Sequence, residues 1–417
     1  MTPEIKQRIE QIRRGEVPEG YVKKRKVVIP QQWGLPQIKD IASISSGSTP
    51  NRNNSEYWNG NIAWVTTGEL SSGHVNHTSE LITVKAVKET KMRIYPQGTL
   101  LMAMYGQGKT RGTVAILEID AAVNQACAAI TVKDGKSKFL FYQLKNSYQD
   151  IRKLSNTGNQ ENLNADIIKT YQVPWAPDEE QERISTILTT QDKVIELKEK
   201  RLAEKQRQKK YLMQQLLTGK KRLPGFNGAW KTDCLGKLFF ERKETNCENI
   251  EMLAITGTQG IIPRKELDLK DNSSEDKSKY LRVCVGDIGY NTMRMWQGIS
   301  AYSDYEGIVS PAYTILKPSS SINAKYFAYL FKTPEIIFLF YRFSQGLVDD
   351  TRNLKYENFK KIKVCYPPDT KEQTAIAEVL SAADREIGLL RQDIEQEKQK
   401  KKALVQLLLT GIVRVKT

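Results

Sequence analysis

Glu180-Gln181, Ile184, Leu188, Asp192, Ile195, Leu197, Lys209-Lys210, Leu212, Gln214 and Leu216-Leu217-Thr218-Gly219 return near the end of the chain. There they read Glu372-Gln373, Ile376, Leu380, Asp384, Ile387, Leu389, Lys401-Lys402, Leu404, Gln406 and Leu408-Leu409-Thr410-Gly411. Every pair stands 192 positions apart, as in 376 − 184 and 411 − 219, so the match runs without a gap. A gapless match of this length means two copies of one helix.

The spacing says what kind of helix it is. In the second copy Ile376, Leu380, Ala383, Ile387, Leu390 and Ile394 step by four and three, skip through Glu397 and Lys401, and resume at Leu404 and Leu408. This is a coiled-coil seam with a polar interruption. The first copy keeps the frame at Ile184, Leu188, Ile195, Leu202, Leu212 and Leu216, and places Gln191, Lys198, Lys205 and Lys209 on the seam. Neither helix is apolar enough to stand alone, and polar seam positions fix register and partner. The two copies are therefore expected to pair with each other, antiparallel. Gly219 and Gly411 suit the C-terminal caps. About 40 residues at about 1.5 Å each predict a rod of about 60 Å.

The repeat extends beyond the helix with drifting offsets, the mark of insertions and deletions. Trp33, Ile38 and Ile41 answer to Trp230, Leu235 and Leu238, while Lys138, Tyr142 and Lys145 answer to Lys325, Tyr329 and Lys332. Asn162-Leu163 and Pro177-Asp178 answer to Asn353-Leu354 and Pro368-Asp369. Five segments follow: an N-terminal helical and basic segment (1–30), a first globular domain (31–178), a central helix (179–220), a second globular domain (221–369) and a C-terminal helix (370–417). The edges of the globular domains agree and their interiors diverge. Ser46-Gly47-Ser48-Thr49-Pro50 through Trp64-Val65-Thr66-Thr67-Gly68 has no clear counterpart after Trp230. One scaffold presenting two different surfaces is implied.

Within each globular domain, β-branched and aromatic runs alternate with turn residues. Ile62 to Thr67, Leu100 to Tyr105, Gly112 to Ile119, Ala126 to Val132, Val283 to Tyr290 and Tyr313 to Leu316 predict strands; Lys138 to Leu154 and Ala324 to Phe343 predict helices. The fold class is α+β. Thr2 to Gly15 predicts a short charged helix, followed by the basic cluster Lys23-Lys24-Arg25-Lys26.

The 417 residues carry 64 Lys and Arg against 48 Asp and Glu, a net charge of +16 with a pI of about 9.4. Such a surface favours phosphate backbones or anionic membranes. Against the membrane, the apolar run Tyr326 to Phe343 is broken by Lys332, Pro334 and Glu335, and the polar start Met1-Thr2-Pro3-Glu4 is no signal peptide. Cys127, Cys234, Cys247, Cys284 and Cys365 are scattered and never form CxxC, which fits a reducing cytoplasm without structural zinc.

Three stretches imitate catalytic motifs. Ala103 to Thr110 satisfies a loose phosphate-loop pattern, but that chemistry needs the turn to open a helix, and Arg111 to Ile116 reads as strand. Asp178 with Glu196 and Lys198 imitates a nuclease set, yet about 27 Å of helix rise separates the members. His74 and His77, the only histidines, follow Ser71-Ser72-Gly73 and lack a third ligand, so they read as a polar loop. No catalytic residue, metal site or cofactor is assigned. What remains is binding.

Two unlike domains alternating with two like helices resemble the specificity subunit of type I restriction-modification enzymes. The helix starts at Pro177, Glu180-Gln181 and Pro368-Asp369, Glu372-Gln373 support this, as does the exit Leu216-Leu217-Thr218-Gly219-Lys220-Lys221-Arg222-Leu223-Pro224-Gly225-Phe226. Trp64-Val65-Thr66-Thr67-Gly68-Glu69-Leu70 and the Asn-Leu steps at 162 and 353 complete the resemblance, which covers essentially the whole chain. It implies two target-recognition domains, each reading half of a split sequence in double-stranded DNA, on an antiparallel coiled coil with internal pseudo-two-fold symmetry. It further implies a non-catalytic subunit whose coiled coil sets the gap and helps bind two methyltransferase subunits, with nuclease-translocase subunits joining for cleavage.

Specific readout needs Arg, Lys, Asn or Gln at base edges. The loops best suited are Asn51, Arg52, Asn53 and Asn54, and Tyr105, Gln107, Lys109, Thr110 and Arg111, in the first domain, with Asn291, Arg294, Trp296 and Gln297 in the second. Alternatives remain open: a self-contained nuclease or methyltransferase, a coiled-coil adaptor without sequence preference, and the recognition subunit of a restriction enzyme cutting on both sides of its site.

Overall fold

The computed structural model describes residues 2–106, 108–134, 136–154, 162–247, 250–257, 260–267, 276–349 and 351–415. The chain divides into two compact units, Met1–Leu197 with Ile394–Thr417, and Lys198–Asp393. Both long helices are present, a central one at Asp178–Leu216 and a C-terminal one at Thr370–Leu408, each of 39 residues.

In the first unit, the runs expected as strands form two sheets. Ala42–Ser46, Cys127–Val132, Leu100–Ala103, Val114–Leu117 and His74–Val75 are neighbours in a five-stranded sheet, antiparallel except at its last pair. Glu80–Ile82, Trp58–Val65 and Ala121–Val123 make a smaller one. Leu100–Ala103 is buried along its whole length because successive side chains point to opposite faces and both faces are covered. Leu100 and Met102 join a core with Phe139, Leu140 and Leu144, while Leu101 and Ala103 pack with Val65, Leu70 and Leu117. The first of these cores also takes Ile184 and Leu188 of the central helix and Leu408 and Leu409 of the C-terminal helix.

The second unit is built the same way. Its four-stranded antiparallel sheet runs Phe239–Glu241, Tyr313–Pro318, Ile288–Asn291, Ser300–Tyr302. Its core joins Phe327, Phe331, Phe340 and Phe359 to Leu216 and Leu217 of the central helix and Ile376 and Leu380 of the C-terminal helix. Each unit is thus α+β and closes its core on the end of one long helix and the start of the other.

Three expected elements are interrupted. Val283 to Tyr290 is two strands, Leu281–Val283 and Ile288–Asn291, in different sheets. Gly286, with φ +95°, makes the bend, and the Asp287 carboxylate holds it by accepting from the Cys284 N–H at 2.8 Å. Ala324 to Phe343 is two helices because Pro334 holds Thr333 extended (ψ 145°) and starts the second one. Lys138 to Leu154 divides at Ser147.

Every expected seam residue is buried or half-buried. In the first unit Gln191 donates to a Glu397 carboxylate oxygen at 2.6 Å, and Asp192 pairs with Lys401. In the second, Lys198 meets Asp393 at 2.8 Å, Lys205 meets Glu386 at 2.9 Å and Lys209 meets Asp384 at 2.6 Å. In the second unit rising numbers on the central helix meet falling numbers on the C-terminal one, and in the first Glu180 meets Arg414, just past the C-terminal helix, whereas Asp192 meets Lys401, so the helix segments run antiparallel. The seam lysines are neutralised by carboxylates across the interface.

The helix ends repeat as well. Gly219 and Gly411 are left-handed, with φ +71° and +70°. Beyond them the N–H groups of Lys221 and Val413 reach back to the carbonyls of Gln215 (3.1 Å) and Leu407 (3.0 Å). Among the described residues, no helix is long and apolar enough to cross a membrane.

Candidate nucleic-acid interface

In the first unit, the Asn51–Asn54 turn uses much of its own polarity to hold its shape. Asn51 Oδ1 accepts from the Asn53 N–H (3.0 Å), and Asn54 Oδ1 caps the next turn through the Glu56 N–H (3.1 Å). Arg52 is exposed but engaged: its guanidinium lies 4.1 Å from the Trp58 ring centre and 4.9 Å from that of Trp64, and it grips Glu80 with two nitrogens. Arg52 in turn holds the Glu80 carboxyl below the usual carboxylate range. Asn53 is left with an outward side chain.

The loop from Tyr105 onward returns the chain from Leu100–Ala103 into Val114–Leu117, so it joins two strands and opens no helix. Left-handed Gly106, Gly108 and Gly112 shape it, and Gly112 donates to the Ala103 carbonyl at 2.8 Å. Two side chains fasten it from outside: Tyr148 Oη donates to the Lys109 carbonyl (2.7 Å) and Arg152 Nη1 to that of Arg111 (2.8 Å). Tyr105, Lys109 and Thr110 face outward or sit half-buried, whereas Arg111 turns inward and is only 6% exposed. Gln107 lies outside the described residues.

Beside this loop is a cavity of about 690 Å³, lined among others by Thr67, Ser71, Lys109, Thr110, Lys145 and Arg152. Among the described residues its lining carries three cations and no carboxylate. The wall at Thr67 is fixed by Glu69, which accepts from the Thr66 N–H (2.7 Å) and the Ser79 N–H (2.7 Å). The Trp64-to-Leu70 motif therefore builds a rigid wall, and Glu69 is its brace. Burial, with Lys401 adding to it, pulls the Lys145 ammonium below its ordinary value. Such a cavity suits an anion such as a backbone phosphate.

His74 and His77 do not converge. His74 Nδ1 meets Glu118 at 2.7 Å and His77 Nδ1 meets Asn76 at 2.6 Å. Among the described residues no group of three His, Cys, Asp or Glu could hold a metal ion.

In the second unit, Asn291 to Gln297 forms a tight turn. Asn291 Oδ1 accepts from the Met293 N–H (3.0 Å), Met295 is fully buried as the anchor, and Trp296 Nε1 donates to the Met293 carbonyl (2.9 Å). Arg294 and Gln297 project outward. Lys332 secures the far side, donating to the carbonyls of Gly298 (2.7 Å) and Ser300 (2.5 Å). Burial pushes its pKa down to about 8, with Lys209 contributing. Sequence reasoning did not single out Lys145, Tyr148 and Arg152, which line the cavity, or Lys332, which fastens the second unit's turn. The repeated spacing of Tyr142 and Lys145 with Tyr329 and Lys332 was the available signal.

Residues 30–207 and 236–399 match the family described as the type I restriction modification DNA specificity domain. The chain is 34% identical over 178 residues to the type I restriction enzyme MjaIX specificity subunit of Methanocaldococcus jannaschii. That match spans less than half of either protein, 41% of this chain and 40% of the relative. The putative MjaX specificity subunit of the same organism is 25% identical over 424 residues, covering 93% of this chain and 95% of the relative. In fold, the chain resembles the type I restriction-modification S subunit from M. genitalium, with a TM-score of 0.58 at 14% identity, over 93% of this chain and 98% of that one.

Proposed function

This chain belongs to the type I restriction-modification DNA specificity family, and from that premise we propose that it reads one asymmetric, bipartite sequence in double-stranded DNA. Each unit reads one half. The observation that carries the proposal is a shared frame with unlike loops. The Lys401–Asp192 pair and the Lys209–Asp384 pair occupy equivalent places, yet the outward side chains are Asn53, Tyr105 and Lys109 in one unit and Arg294 and Gln297 in the other. Equivalent frames bearing different hydrogen-bonding groups favour different base sequences.

The two long helices serve as an antiparallel coiled coil that sets the spacer between half-sites and scaffolds two methyltransferase subunits, with nuclease-translocase subunits joining for cleavage. The chain itself supplies recognition and no bond-breaking step, and it works in the cytoplasm. Half-sites separated by near one helical turn, about 34 Å, lie on one face of the duplex.

The test is methylome sequencing of a methylation-free host carrying this chain and its modification subunit. Two modified adenines on opposite strands of one split motif are expected, and adding one helical turn to both long helices should change the spacer and leave both half-motifs intact. A continuous motif, or an insertion that alters the bases read, would overturn the proposal.

A further inference from the structure

We propose that the exposed apolar pair Leu347 and Val348 of the second unit, held out above the stem that Gln345 and Asn353 close, is a major-groove reader that seats against thymine 5-methyl groups. The inference rests on the reading of this chain as a DNA specificity subunit and adds a base chemistry to one of its half-sites.

Leu347 is 99% exposed and Val348 59%. A single exposed leucine on a surface needs no explanation. This one is held out by a built support. Gln345 and Asn353 exchange two backbone hydrogen bonds, of 2.8 and 2.7 Å, closing the stem. Gly346 takes φ +122°, and a Cβ there would stand 2.7 Å from the Thr351 carbonyl oxygen and 2.8 Å from the Arg352 nitrogen, so the stem accepts only glycine. Above it the Thr351 N–H and hydroxyl both donate to the Val348 carbonyl (3.1 and 3.0 Å).

The foot of the loop is fastened to the 291–297 turn. Buried Leu354 donates its N–H to the Thr292 carbonyl at 2.9 Å. The Arg352 guanidinium lies 4.1 Å from the Tyr341 ring centre and 5.9 Å from that of Trp296, beside the turn bearing Arg294 and Gln297. Loop and turn therefore share one surface.

The chemistry of the tip selects its target. Leu347 and Val348 offer no side-chain donor to a phosphate, and the Asp349 carboxylate, 3.5 Å from Arg352, disfavours one. In the major groove, the apolar group that distinguishes one base pair from the others is the thymine methyl. An aliphatic tip on a fixed stem matches that group.

The experiment uses the chain assembled with its modification subunit and duplexes carrying its methylome-defined site, with each thymine replaced in turn by deoxyuridine, which lacks the methyl. The native assembly should bind about fourfold more weakly when one or two thymines in the second unit's half-site are replaced, the worth of about one buried methyl. The Leu347→Ala assembly should bind the unmodified site less tightly and be indifferent to those same replacements. Neither assembly should respond differently from the other in the remaining half-site. Equal sensitivity of the two assemblies, or none in the native one, overturns the proposal. So does a folded Leu347→Ala chain that no longer assembles with its modification subunit, which would make the tip a protein contact. The broader reading fails separately, if the native assembly shows no preference for a bipartite site.

Discussion

Tyr142 donates its phenolic hydrogen to Asp192 across 2.8 Å, joining the globular part of the first unit to the central helix. Tyr329 makes the same 2.8 Å bond to Asp384 in the second unit. Each carboxylate also takes a lysine, Lys401 or Lys209, and each phenol has a hydroxyl beside it, on Thr189 or Ser381. Burial, the larger effect, and the neighbouring carboxylate raise both phenols well above their ordinary pKa, so the hydrogen stays in the bond. Tyr142→Phe keeps the ring and deletes the donor, which should cost about 1 to 2 kcal/mol. Faster amide exchange in helix Ser137–Asn146 and the start of the central helix, with exchange in the second unit unchanged, is the expected result. Unaltered protection in the first unit would show that the bond adds nothing.

A second repeated contact is more deeply buried. Glu180, with no exposed surface, accepts from Trp33 Nε1 (2.9 Å) and Arg414 Nε (2.7 Å); Glu372 accepts from Arg222 Nε (2.6 Å) and Nη2 (2.7 Å). Removing Arg414 leaves a buried carboxylate short of its cation. Breaking a fully buried pair costs about 3 to 5 kcal/mol. Arg414 is 35% exposed, so we expect about 2 kcal/mol for Arg414→Ala. Because the penalty comes from the stranded charge, adding Glu180→Gln should recover part of it. A double-mutant cycle by denaturation checks this, and strictly additive losses would contradict it.

The helices were legible because period and repetition are properties of sequence itself. Asp192 matches Asp384 and Lys209 matches Lys401 at one offset, and across the helices Asp192 pairs with Lys401 and Asp384 with Lys209, which explains why both copies keep both residues. Loop conformation was not legible in the same way. Arg52 and Arg111 look equally free in the sequence, yet two tryptophan rings and Glu80 hold one, and the body of the unit buries the other. These outcomes depend on residues distant along the chain. The break in Val283 to Tyr290 had a local sign, Gly286 followed by Asp287, but an apolar run masks a turn when only periodicity is read.

Lys332 makes a pH-dependent prediction. Its folded pKa of about 8 lies below the ordinary lysine value, so between about pH 8 and 10.4 the unfolded chain binds more protons than the folded one. Stability contributed by this group therefore rises with pH across that window, and the cost of burying its charge is fully present below it. The neutral amine still has hydrogens for the Gly298 and Ser300 carbonyls. Lys332→Met should remove this rise, which would amount to about 3 kcal/mol for the full shift. The measurement is the difference between native and Lys332→Met unfolding free energies from pH 7 to 10.4. A difference that stays flat would contradict the assignment.

Substituting Lys109 and Arg294 tests base reading against backbone holding. Lys109 is exposed on a loop whose carbonyls at 109 and 111 are tied down by Tyr148 and Arg152, and Arg294 projects from a turn anchored by buried Met295. Both side chains are therefore displayed from fixed backbone, a condition for discriminating bases. If Arg294 reads a base edge, Arg294→Ala should cost about 1 to 3 kcal/mol on the native site and relax preference at one position of the second unit's half only. Lys109 sits on the rim of the cation-lined cavity, so Lys109→Ala is expected to weaken binding to all duplexes alike and to lower the salt dependence by about one phosphate contact. Affinities on single-base variants of the site, at two or more salt concentrations, resolve the two behaviours. A position-specific loss for Lys109→Ala would move that residue from the backbone to the bases, and a uniform loss for Arg294→Ala would do the reverse.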